Sequence, residues 1–150
     1  MSFLEIHLPD IEATSRLARR LAPHLKAGDV IALKGGLGAG KTTFARALIS
    51  ILSGAETDVP SPTYTLVQTY DTPGLTVFHF DLYRLETPDE VMELGWEETM
   101  DGLALIEWPD KAGEHLPQWR LDLALEQTQD GRTARLEAHG EDWQARLHGI

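Results

Sequence analysis

The sequence predicts an α/β fold in which a central mixed sheet is flanked by helices and β-hairpins. Three observations point there. Two short apolar runs, residues 30–33 and 103–106, have the all-hydrophobic character of strands buried on both faces. Two stretches of alternating residues interrupted by turn chemistry, 63–80 and 121–138, read as hairpins. Between them lie segments with apolar residues at helical spacing. A chain of 150 residues is expected to fold as one domain over residues 1–150.

The elements follow in order. Phe3-Leu4-Glu5-Ile6-His7-Leu8 alternates enough for a first strand. Asp10 then caps a helix over residues 11–25, where Ile11, Leu17, Ala18, Leu21, Ala22 and Leu25 share a face. Gly28-Asp29 turns the chain into the apolar strand Val30-Ile31-Ala32-Leu33. A glycine-rich segment follows, and residues 42–52 read as a helix ending near Gly54. Residues 55–62 form a loop before the hairpin of 63–80, whose turn is Asp71-Thr72-Pro73-Gly74. An acidic helix is expected over residues 88–100, then the strand Leu103-Ala104-Leu105-Ile106. Leu121, Leu123 and Leu125 start a second hairpin that turns at Asp130-Gly131 and returns over 132–138, and residues 141–147 close the chain as a short helix.

Gly35-Gly36-Leu37-Gly38-Ala39-Gly40-Lys41-Thr42 fits the G-x-x-x-x-G-K-[ST] pattern of a phosphate-binding loop. Its spacing has a chemical reason. Glycines let the backbone wrap phosphates and aim N–H groups inward, and the helix N-terminus beneath adds favourable partial charge. Gly38, Ala39 and Gly40 are the expected cradle, with Lys41 reaching the β- and γ-phosphates, Thr42 offering its hydroxyl to Mg2+ and Thr43 bonding the α-phosphate. The motif stands between a predicted strand and a predicted helix, as its mechanism requires, and makes the fold a P-loop NTPase fold that binds ATP or a related nucleotide.

Such a loop needs an acid from a neighbouring strand end. Asp81 closes the run Val77-Phe78-His79-Phe80, and Glu107 closes Leu103-Ala104-Leu105-Ile106, so both are candidates for the metal and the attacking water. His79 is expected to be a hydrogen-bonded core residue, and Trp108 to serve packing. The acidic run Asp89, Glu90, Glu93, Glu97 and Glu98 reads equally as a solvated helix face or as a dock for a basic partner.

Composition narrows the class. The net charge of −11 argues against strong direct binding of nucleic acid, because such binding rests on Lys and Arg neutralising phosphates. Cysteine is absent, which excludes disulfides and cysteine-held metals. There is no apolar run long enough to span a bilayer and no leader-like N-terminus, so no membrane association is expected and the cytoplasm is the default location.

Four segments occur in order: Gly38-Ala39-Gly40-Lys41-Thr42-Thr43-Phe44, Ser61-Pro62-Thr63-Tyr64-Thr65-Leu66-Val67, His79-Phe80-Asp81-Leu82-Tyr83-Arg84-Leu85 and Ile106-Glu107-Trp108-Pro109. Together they resemble the bacterial TsaE family of the pathway that makes threonylcarbamoyladenosine in tRNA. The resemblance implies a small P-loop ATPase that uses ATP and Mg2+ and joins TsaD and TsaB, with tRNA met through that complex. TsaD transfers the threonylcarbamoyl group to an adenosine beside the anticodon, and ATP turnover supports repeated cycles. It further implies phosphate and Mg2+ roles for Lys41 and Thr42, an acid at Mg2+ for Glu107, the acid of the other strand for Asp81, and a switch-like loop over residues 61–65. Thr14 and Arg132 match positions associated with the base and sugar of the nucleotide. Gly36 departs from the family, whose members commonly carry aspartate there.

Alternatives are weighed on residues. A small-molecule kinase needs a lid with several arginines, yet residues 85–118 contain no arginine and only Lys111 and His115 as basic side chains. A guanine-specific GTPase reads its base with Asn-Lys-x-Asp, and this chain has no asparagine. A module that binds ATP without hydrolysing it stays open, since a partner can complete the geometry. No motif supplies an arginine to the transferring phosphoryl group, Arg84 being only a candidate.

Overall fold

The computed structural model describes residues 3–36, 38–62 and 65–150. Leu37 of the glycine-rich loop and Thr63 and Tyr64 of the expected switch-like loop and hairpin lie outside the described residues. Seven strands form one sheet: β1 (Phe3–Leu8), β2 (Val30–Lys34), β3 (Val67–Thr72), β4 (Leu75–Asp81), β5 (Leu103–Glu107), β6 (Arg120–Thr128) and β7 (Gly131–His139), in the order β1-β7-β6-β2-β5-β4-β3. The four central strands β6, β2, β5 and β4 run parallel, and antiparallel pairs close both sides, β3 on β4 and β7 between β6 and β1. The α/β mixed-sheet expectation holds.

Alternation sorts the side chains onto two cores. Ile31, Leu33, Val77, Leu103, Leu105, Leu121 and Leu123 face the helices α1 (Ile11–Leu21), α2 (Lys41–Ser53) and α3 (Glu141–Leu147). Val30, Phe80, Ala104 and Ile106 face the other way, under Leu82, Leu85, Val91 and Ala112. The two central strands β2 and β5 are therefore apolar on both faces, which explains their uninterrupted hydrophobic runs. On α2 the fully buried Phe44, Leu48 and Ile49 clamp the helix to the sheet, each contributing roughly 1.5–3 kcal/mol of transfer free energy.

Local chemistry sets the element ends. Asp10 caps α1 as expected, accepting from the Ala13 amide at 2.9 Å. The helix predicted over 11–25 ends earlier, at Leu21, and tightens into a 3₁₀ turn over Ala22–His24, because Pro23 has no N–H to continue the ladder. The first hairpin is shorter than predicted. Its strands begin at Val67 and turn at Pro73 and Gly74, and Leu66 has φ 68°, outside the extended region.

The single acidic helix predicted over 88–100 is instead two 3₁₀ helices, Pro88–Leu94 and Trp96–Asp101, split at Gly95 with φ 77°. A left-handed glycine cannot carry a right-handed ladder through, and Trp96 anchors the break: its Nε1 donates to the His115 carbonyl at 3.0 Å and its ring meets Phe80 edge-on. A further 3₁₀ stretch, Pro109–His115, had no periodic signal in the sequence. Among the described residues no helix is long and apolar enough to cross a membrane.

Candidate nucleotide site

The loop from Gly35 to Gly40 connects the end of β2 to the start of α2, so the helix N-terminus faces the C-terminal ends of the parallel strands, where crevices form in such sheets. Glycine is required at two points. Gly35 has φ 140°, and a Cβ there would stand 2.5 Å from the Leu125 carbonyl oxygen. Gly40 caps α2 with φ 104°, and its Cβ would meet Arg132 Nε at 2.9 Å. Gly36, by contrast, faces open space.

Lys41 is buried, and its Nζ donates to the carbonyls of Gly35 at 2.5 Å and Gly36 at 3.1 Å. It also stands 3.9 Å from the centroid of the Trp108 ring, a cation–π contact. Burial lowers the pKa of Lys41 from its ordinary value, and the charges of Glu107 and Asp81 only partly restore it. Both acids are buried and belong to adjacent parallel strands, with Asp81 and Glu107 as Cα partners. Thr42 Oγ1 lies 3.2 Å from each Glu107 oxygen. Asp81 Oδ1 accepts from the Tyr83 amide at 3.0 Å.

These groups line one crevice of about 300 Å³, together with Gly38, Ala39, Gly40, Thr43, Ser61, Trp108 and Arg132. The structure thus brings Gly38, Ala39, Gly40, Lys41, Thr42, Thr43, Asp81, Glu107 and Arg132 together as expected, and Ser61 of the expected switch-like loop with them, whereas Thr14 is buried in α1 and is not among the residues lining the crevice. Arg132 leans on the loop from β7, its Nη2 3.4 Å from the Gly38 carbonyl. Arg84 is exposed and does not line the crevice. A larger hollow of about 700 Å³ opens at the other end of β2, beside Asp29 and Trp143. Its buried charge is matched internally, since Asp29 takes two bonds from Arg146 at 2.6 and 2.9 Å. The glycine-rich loop and the two strand-end acids line the smaller crevice, which is where the chemistry collects.

Two residues do more than the sequence suggested. Trp108, expected to serve packing, lines the crevice and holds a left-handed backbone with φ 58°, a strained conformation for a large side chain that turns the chain directly after Glu107. His79 is a buried hydrogen-bonded residue as expected, but its partner is Glu107, with Nε2 2.6 Å from Oε2. The period-two spacing of His79 and Asp81 was the available signal, since it puts both on one strand face.

The donor set can be tested against a metal. Among the described residues no group of three or more His, Cys, Asp and Glu could hold an ion alone. A threonine hydroxyl beside a buried carboxylate is an all-oxygen set that matches Mg2+, which takes one or two protein oxygens and fills its octahedron with water and phosphate.

A family model described as threonylcarbamoyl adenosine biosynthesis protein TsaE matches residues 8–135. The chain belongs to the TsaE family. A TsaE protein of Haemophilus influenzae is 34% identical over 145 residues, covering 92% of this chain and 91% of its own. One of Bacillus subtilis is 40% identical over 121 residues, covering 79% and 75%. The TsaE protein of Rickettsia felis is 50% identical over 100 residues, 66% of this chain, and the match spans 58% of that relative's length. A crystal structure of Bacillus subtilis YdiB superposes with a TM-score of 0.81 at 30% identity, covering 98% of this chain and 93% of that one. The TsaE relationship thus extends over both the sheet and the crevice.

Proposed function

We propose that this TsaE-family protein is a Mg2+-dependent ATPase that supports threonylcarbamoyladenosine modification of the tRNA adenosine beside the anticodon, acting with TsaD and TsaB. The observation that carries the reading is the convergence of Lys41, Thr42, Asp81 and Glu107 on one crevice at the N-terminus of α2. The relatives are named for tRNA threonylcarbamoyladenosine biosynthesis, which supports the assignment of the pathway.

The geometry supports the following division of labour. Loop amides from Gly38 to Thr43 and the helix N-terminus favour the phosphates, and Lys41 exchanges its loop carbonyls for phosphate oxygens. Thr42 and Glu107 would hold Mg2+, which would supply positive charge against the phosphates. Asp81, on the neighbouring strand, orients the attacking water, and Arg132 contacts the nucleotide from the β7 side. The stretch over 85–118, where a kinase would need an arginine lid, contributes Leu85, Val91 and Ala112 to a core instead. That disfavours phosphoryl transfer to a small molecule.

With no arginine of the motif segments lining the crevice, turnover is expected to be slow alone and faster with TsaD and TsaB. Phosphate release measured with and without those proteins tests this. Rapid release unchanged by them would overturn the partner-dependent reading, and no release under either condition would overturn the ATPase reading.

A further inference from the structure

His79 has no place in the division of labour above, yet it is fully buried and touches the central acid. We propose that His79 is a positioning residue whose Nε2–H holds the Glu107 carboxylate in the orientation that serves Mg2+. The proposal rests on the reading of Glu107 as the acid at that ion.

The register explains how the contact arises. β4 and β5 run parallel, and the Cα partner of His79 is Leu105, two residues before Glu107 on the same face. The imidazole therefore stands one step below the carboxylate and reaches up to it, 2.6 Å from Oε2. A carboxylate only accepts, so the hydrogen is assigned to Nε2. Nδ1 is buried with no hydrogen-bond partner among the described residues. An apolar side chain of similar size would leave no such orphan, so packing alone does not account for a histidine here.

Thr42 cannot do the same work. Its hydroxyl is equidistant from both carboxylate oxygens, at 3.2 Å, and its single hydrogen does not distinguish them. Its oxygen is also committed to the ion in the proposed function. His79 contacts Oε2, so of the two carboxylate oxygens Oε1 is the one outside that bond, 3.2 Å from Thr42 Oγ1. Hydrogen-bond partners of this kind typically alter metal affinity by about 10–100-fold when removed.

The test compares His79→Leu, His79→Gln and Glu107→Gln in the full chain, reading ADP affinity with and without Mg2+. His79→Leu is expected to cut the Mg2+-dependent gain in affinity by about tenfold or more and to leave Mg2+-free affinity within about twofold. His79→Gln, which keeps a donor, should recover most of the gain. In the Glu107→Gln background His79→Leu should have no further effect. Histidine 15N NMR of the ligand-free protein should show His79 protonated at Nε2, with its shift perturbed by Glu107→Gln. The proposal is overturned if His79→Leu leaves the Mg2+ gain intact, weakens ADP equally with and without Mg2+, or unfolds together with His79→Gln. A Glu107→Gln variant that keeps the full gain overturns the Glu107 reading and this proposal with it. An affected Glu107→Gln beside a neutral His79→Leu overturns this proposal alone.

Discussion

Thr42 and Glu107 meet at the mouth of the phosphate loop, the hydroxyl of one 3.2 Å from both carboxylate oxygens of the other. One lies in the first turn of α2 and the other ends β5, so the contact forms only when helix and strand are docked. Glu107→Ala is expected to lower ATP turnover by at least about a hundredfold, because it removes the carboxylate assigned to the metal that offsets phosphate charge. The fold should persist, since the strand interior is untouched. Leaving His79 without its acceptor should cost about 1–3 kcal/mol, which thermal melts would register as several degrees. Thr42→Ser should retain most turnover and Thr42→Ala lose it, because the hydroxyl and not the methyl faces the acid. An unfolded Glu107→Ala in circular dichroism would instead make the residue structural.

The loop glycines are not equivalent. A Cβ at Gly35 would press on the backbone carbonyl of Leu125, which cannot step aside, whereas one at Gly36 meets nothing within 4 Å. Gly35→Ala is therefore expected to destabilise the protein by more than about 1–3 kcal/mol, the scale of backbone strain alone. Gly36→Asp, which adds a carboxylate in open space, should change stability by no more than about 0.5 kcal/mol. Paired chemical-denaturation curves would check both values. If Gly36→Asp also alters Mg2+-dependent turnover, the carboxylate has a role that this chain does without.

Gly40 and Arg132 form a coupled pair across the loop. The Gly40→Ala methyl would collide with the guanidinium at 2.9 Å in addition to straining a φ of 104°. Gly40→Ala should abolish ADP binding. Adding Arg132→Ala should recover part of the lost stability by removing the collision, but not binding, because the strained φ remains. Arg132→Ala alone should weaken ADP binding by roughly tenfold, about 1.4 kcal/mol, if its charge meets the nucleotide. Titration calorimetry on the three variants separates these outcomes.

Much of this was legible in the sequence, and the reasons differ by feature. The apolar runs at 30–33 and 103–106 and the phosphate-loop pattern depend on neighbours in the chain, so β2, β5 and the start of α2 could be placed closely. The placement of Asp81 and Glu107 side by side at the crevice was legible because each closes an apolar run that forms a buried parallel strand. The break at Gly95 was not, since the acidic pattern on both sides suits a helix and only the docking of Trp96 decides against it. Trp108 packs against the second core as the sequence suggests, but its left-handed backbone and its cation–π contact with Lys41 come from how β5 meets the loop. His79 was read as core, correctly for burial, but parallel register rather than sequence spacing determines that its ring meets Glu107.

Asp122 gives a pH-dependent prediction away from the site. It lies on β6, on the face opposite Leu121 and Leu123, and its carboxylate is buried among Arg120 at 2.8 Å, Lys34 at 3.1 Å and His139 at 2.8 Å. Burial alone would raise its pKa, but hydrogen bonds from Arg120 and Lys34, and their charges, outweigh it and hold the carboxyl below its ordinary value of 3.8. A carboxyl whose folded pKa is depressed binds fewer protons folded than unfolded, so its stabilisation is full above the unfolded value and is lost as pH falls through the folded one. Removing one partner of a buried pair costs about 3–5 kcal/mol, and the partial exposure of Lys34 and His139 reduces the expectation here to about 2 kcal/mol. Asp122→Asn should therefore lower stability by about that amount at pH 7, with the gap to the native chain closing as pH falls below about 4. Urea midpoints measured across that range check it. A gap that stays constant with pH would show that the loss comes from packing and not from the charge of Asp122.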